Sequence, residues 1–131
     1  MVSYYRALSV LRYIACDNEL IVLSKEHAVT DTHEQTVKRI KFLSDGKIKL
    51  EFELKNSTTS YYAFAYIYRN NKYIAFKNTL STTYEKKELE LDVKENDIIE
   101  IRVRHSVEGE TVYLRNLKVK GAYLPIGDVL D

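Results

Sequence analysis

The chain has no tryptophan, and its 131 residues include one cysteine, one methionine, one proline and four glycines. A lone Cys16 excludes an intramolecular disulfide framework and points to assembly in a reducing compartment. Scarce glycine and proline exclude collagen-like and low-complexity organisation. They also leave no phosphate-cradling glycine loop and no Gly-x-Ser-x-Gly nucleophile elbow. Charge of one sign is missing too. Lys plus Arg (20) and Asp plus Glu (19) nearly cancel, so no global field draws nucleic acid or an acidic membrane. Histidine is limited to His27, His33 and His105, without the helical spacing or cysteine partners of a zinc site. No metal, cofactor, nucleic-acid or membrane partner is expected.

What the chain does have is strand periodicity. In residues 47–55, KIKLEFELK, Ile48, Leu50, Phe52 and Leu54 alternate with Lys and Glu, one face for a core and one for water. Tyr61 to Tyr68 is apolar on both faces, with Tyr62, Phe64, Tyr66 and Tyr68 on one and Tyr61, Ala63, Ala65 and Ile67 on the other. Asn70-Asn71 supplies the two positive-φ residues of a type I′ hairpin. Asp45-Gly46 reads as a second hairpin, joining a strand at Thr36–Leu43 to the central one. Further on, Leu89, Leu91 and Val93, then Ile99, Ile101 and Val103, repeat the alternation. In Thr111–Lys120, Val112 and Leu114 share one parity while Leu117 and Val119 share the other. One inserted residue reconciles them, which predicts a β-bulge at Arg115-Asn116.

Residues 3–15 read two ways. As a helix they place Tyr4, Ala7, Leu8, Leu11, Ile14 and Ala15 on one face; as a strand they align Val2, Tyr4, Leu8, Val10 and Ile14. The helix is the reading adopted. Arg6 and Arg12 interrupt the segment, so it is expected to be neither a secretory signal nor a bilayer span. Residues 25–35 and 78–83 read as polar loops. The expected organisation is an N-terminal helix or arm (1–18), a sandwich domain (19–121) and an extended strap (122–131). Roughly eight short strands separated by turn signals give an all-β class, an antiparallel two-sheet sandwich or jelly roll. Lys and Glu mixed on the outward strand faces are expected to pair across strands.

From about Thr36 to Gly121 the chain resembles a β-sandwich module of virion proteins, found in tail, fibre and decoration components of tailed phages and archaeal viruses. The likeness lies in VKRIKF, GKIKLEFELK, AYIYRNNKYIA followed by TLSTTY, and NDIIEIRVRH with VYLRNLKVKG. Asp97 opens the penultimate strand as in such modules, and Tyr113, Arg115, Asn116, Leu117 and Gly121 match the last. Asn70-Asn71 replaces their usual Asn-Gly, and both termini fall outside the module. The resemblance implies a non-enzymatic structural protein of the virion, in the particle or in host cytoplasm during assembly. Its partners would be copies of itself or other virion proteins, and no catalytic residue is implied.

The residues themselves leave two functional surfaces open. Eleven tyrosines provide amphipathic contact area suited to interfaces or sugars, unless they fill the core as strand formers. The candidate contact residues are Tyr4, Leu8, Leu11, Tyr62, Tyr66, Tyr68, Tyr113 and Arg115. A homo-oligomer is expected, and the alternative is a carbohydrate-binding or adhesin module using the tyrosine-rich surface. Arg102, Arg104, His105 and Arg115 form a basic group in sequence, diluted for nucleic acid by Glu100, Glu108 and Glu110. Glu51 with Glu53 and Glu88 with Glu90 are same-face carboxylates, read as solvated strand faces rather than a glycosidase pair. Asn56-Ser57-Thr58 matches a glycosylation sequon and is read as chance.

Overall fold

A computed structural model describes residues 18–122 and 124–131. The helix expected over 3–15, with Tyr4, Leu8, Leu11 and Cys16, lies outside the described residues. The described chain forms β1 Glu19–Leu23, β2 His27–Val29, β3 Gln35–Phe42, β4 Gly46–Asn56 and β5 Ala63–Arg69. These are followed by β6 Lys72–Thr79, β7 Glu85–Val93, β8 Ile98–His105, β9 Val112–Gly121 and β10 Ile126–Leu130. One sheet runs β1-β9-β4-β7 with β2 also on β9, and the other runs β10-β3-β8-β5-β6. All pairings are antiparallel. With β1 and β2 counted as one interrupted strand, the chain distributes β1 to β9 between the sheets in jelly-roll order. β10 is an addition beside β3.

The alternation seen in sequence builds the core. Ile48, Leu50, Phe52 and Leu54 from β4 meet Ile99, Ile101 and Val103 from β8 and Ala63, Ala65 and Ile67 from β5, all buried. Leu89 and Leu91 are only partly buried against this cluster, because β7 is a sheet edge and the opposite layer does not reach fully over it. The expected bulge is present. Glu51 pairs with Lys118 but Glu53 with Arg115, and Asn116 takes φ 53° to accommodate the extra residue. The outward charges pair across strands as expected: Glu51 accepts from Lys120 on β9 at 2.9 Å and lies 3.6 Å from Lys86 on β7.

Three local expectations are corrected. Asp45-Gly46 does not turn a hairpin, since β3 and β4 belong to opposite sheets and the turn carries the chain between them. Gly46 serves close packing instead: a Cβ there would stand 2.7 Å from the Leu124 side chain. The loop at 25–35 contains β2, which pairs with β9 from His27 to Val29. The strap contains β10, which extends the second sheet against Phe42, Ile40 and Arg39.

Two buried polar groups tie the layers. A register shift between Thr36 and Lys38 turns both Val37 and Lys38 inward, and the Lys38 ammonium donates to Leu23 O, Lys25 O and the Asp131 carboxylate. At the other end, His105 is fully buried and its Nε2 lies 2.8 Å from Asn56 Oδ1. The Val107 amide donates to His105 Nδ1 at 3.1 Å, which leaves Nε2 as the protonated, donating nitrogen of a neutral ring.

Burial lowers the pKa of His105 below the ordinary 6.5, and burial with Lys38 and Lys25 does the same to His27. A depressed histidine favours its neutral form in the fold. The associated stability is therefore full above about pH 6.5 and is lost as pH falls below that value toward the folded pKa. Denaturant midpoints should fall between pH 7.5 and about 5.5. His105→Gln, which retains a donor for Asn56, should flatten part of that slope. A midpoint that is constant or rises on acidification contradicts this account.

Candidate functional site

The outer face of β5, β6 and β8 gathers most of the exposed aromatic surface. Alternation buries Ala63, Ala65 and Ile67 and turns Phe64, Tyr66 and Tyr68 outward. The Asn70-Asn71 turn, with φ 49° and 66°, folds β6 back so that Tyr73 lies opposite Tyr68 and Phe76 opposite Tyr66. An irregularity at Ile74 keeps Tyr73 and Phe76 on the same face despite their odd spacing. With Tyr62 just before β5, six rings form a continuous chain. Centroid separations run from 5.7 Å for Phe64–Tyr66 to 6.3 Å for Tyr66–Phe76. These are ordinary distances for attractive ring pairs.

β8 lays arginines along this platform, because register places Arg104 beside Phe64 and Arg102 beside Tyr66. The Arg102 guanidinium lies 3.8 Å from the Tyr68 ring centroid, donates to Asn71 Oδ1 at 2.6 Å and lies 3.5 Å from Glu100. Glu100 also accepts from the Thr36 hydroxyl at 3.0 Å. The Tyr68 hydroxyl donates to Glu34 at 2.6 Å, and that bond raises the phenol's pKa. Arg104 differs. Its Nε donates to the Tyr66 hydroxyl at 2.9 Å and its guanidinium lies 4.8 Å from the Phe64 centroid, but no carboxylate among the described residues pairs with it. Beyond β8 on the same face, Arg39, Lys41, Ile98, Glu100 and Asp128 line a shallow depression of about 350 Å³.

The structure divides the residues singled out from sequence. Tyr62, Tyr66 and Tyr68 share this face. Tyr113 and Arg115 stand on the outer face of the opposite sheet, so they belong to a different surface. There Lys55 lies over the rings of Tyr113 and Tyr84, and Arg115 stacks 3.8 Å from Tyr84. Arg115 also donates to Glu53, as Asn116 does, and the Asn116 and Arg115 bonds hold the Glu53 carboxyl below its ordinary value. The basic group breaks up likewise, with Arg102 and Arg104 on one side, Arg115 on the other and His105 in the core. No tyrosine among the described residues is buried, which overturns core filling for these tyrosines: small Ala63 and Ala65 occupy the inward positions of β5 that rings would need.

Glu51 and Asn56, two chemistry-bearing groups elsewhere, are engaged structurally. Glu51 would be raised by burial, but Lys120 and Lys86 overcome that and leave it below its ordinary value. Among the described residues no three His, Cys, Asp or Glu side chains gather as metal ligands. Asn56 of the sequon is 1% exposed, and both of its amide hydrogens are used, so the folded protein offers no acceptor there. Phe76 and the pairing of Arg104 with Tyr66 were missed in sequence. The hairpin register carried the signal, but the irregularity at Ile74 reverses the parity simple alternation assigns to Phe76. No protein-family model and no curated protein sequence matches the chain.

Proposed function

We propose that this protein is a non-enzymatic structural protein of a virion, a tail, fibre or decoration component that works through contacts with other subunits. The observation that carries this reading is the placement of six aromatic rings and two arginines on one outer sheet face. Tyr and Arg are enriched where protein interfaces draw their affinity. The jelly-roll order, shared with capsid proteins, and the resemblance of residues 36–121 to virion modules support it further. On this reading the chain self-associates, and light scattering should give an oligomer that Phe76→Glu converts to monomer. A wild-type monomer at high concentration, absent from purified particles, sinks it.

A carbohydrate-binding or adhesin module is the second reading, favoured by Tyr62, Tyr73 and Phe76 standing roughly half exposed beside an unpaired guanidinium. Apolar sugar faces lie on such rings while hydroxyls reach polar neighbours. Glycan-array binding lost in Tyr66→Ala and retained in Tyr113→Ala, which alters the opposite face, would support it.

A further inference from the structure

Among the surface groups, Arg104 is the one whose environment specifies a ligand most closely. Its Nε is fixed by the Tyr66 hydroxyl and its plane lies by the Phe64 ring, so the guanidinium is held in place while its terminal nitrogens lack an acid partner. Of the acids on the same face, Glu100 is engaged with Thr36 and Arg102 and Glu34 with Tyr68, while Asp128 lies in the depression beside Arg39 and Lys41. A positioned, unpaired guanidinium favours a carboxylate or sulfate, which it binds through paired, charge-assisted hydrogen bonds. The rings beside it favour the apolar face of a pyranose. Resting on the carbohydrate reading above, we infer that the ligand of this face is an anionic polysaccharide. A uronate-type ring lies on Phe64, Tyr66 and Phe76, and its carboxylate is taken by Arg104.

A polymer fits better than a single sugar. Arg39, whose register partner is Glu100, stands four residues along β8 from Arg104, roughly 13 Å at about 3.3 Å per residue. That span covers two to three sugar units, and the depression lined by Arg39 and Lys41 continues the track. Single-stranded nucleic acid is a poorer match. It is held by a continuous basic groove, whereas the basic groups of this face, Arg104 and the pair Arg39 and Lys41, stand apart with the ion-paired Arg102 between them.

Calorimetric titration with hexagalacturonate, neutral cellohexaose and oligothymidylate distinguishes these cases. The uronate oligomer is expected to bind about tenfold more tightly than the neutral one, and more weakly as salt rises. Arg104→Gln should remove about that factor for the uronate alone. Arg115→Gln, on the opposite face, should leave it unchanged. If both sugars bind equally and Arg104→Gln has no effect, the anionic preference is overturned while the carbohydrate reading stands. If neither sugar binds, both fail. Oligothymidylate bound more tightly than uronate, through Arg104, overturns the inference in favour of nucleic acid.

Discussion

Phe52→Ala should destabilise the protein by about 3–5 kcal/mol, the range for truncating a fully buried aromatic side chain. Phe52 lies at 0% exposure between the sheets, on the strand with partners on both sides. Its register partner on β7 is Lys87, but on β9 it falls within the irregularity between Glu51 and Glu53. The cavity would therefore open at the centre of the sandwich, where strands held on both edges cannot easily move in to fill it. Leu89→Ala provides the comparison. Leu89 alternates as cleanly in sequence but sits half covered on edge strand β7, so its truncation should cost about 1–2 kcal/mol, below the range for a fully buried leucine. Urea unfolding of the two variants measures the difference. Equal losses would mean that the layers do not close over β4 as described.

The same pair shows what periodicity can and cannot reveal. Alternation identified which face of β4, β7 and β8 turns inward, since side-chain direction follows local backbone geometry, but left both apolar faces of β5 open. It could not distinguish a central strand from an edge strand, because sheet order is a long-range property. The parity switch revealed the β9 bulge, where two apolar pairs demanded it. No such demand marked the irregularity at Lys38, where a lysine turns inward to meet backbone carbonyls from a distant segment. Asp45-Gly46 misled for a related reason. A glycine required by the approach of Leu124 resembles a glycine required by a hairpin. The candidate site was partly legible: Tyr62, Tyr66 and Tyr68 were placed on one face, but nothing local to Tyr113 or Arg115 reveals that their strand joins the other sheet.

Asn56→Ala should cost roughly 3–5 kcal/mol, as much as a core truncation, although it removes only a small polar side chain. Asn56 ends β4 at 1% exposure with every hydrogen-bonding capacity of its amide filled. Nδ2 donates to Tyr61 O at 2.6 Å and Thr79 O at 2.9 Å; Oδ1 accepts from Thr58 N at 3.1 Å and from His105 Nε2 at 2.8 Å. One side chain thus joins the end of β4 in the first sheet to the ends of β6 and β8 in the second. Alanine leaves these groups without partners, and each buried one costs about 1–3 kcal/mol, less where water reaches Thr58 or Tyr61. Asn56→Asp separates bonding from shape. It places an oxygen against two carbonyls, yet offers His105 a carboxylate, so the histidine pKa should rise instead of remaining depressed. A raised histidine contributes stability that is present below its unfolded pKa and lost as pH climbs through the folded one. The Asp variant should therefore be least stable near neutrality and recover as pH falls toward 6, opposite to the wild-type trend. Histidine NMR titration and denaturant midpoints across that interval check both parts. If Asn56→Ala unfolds at the wild-type midpoint, the amide does not join the sheets.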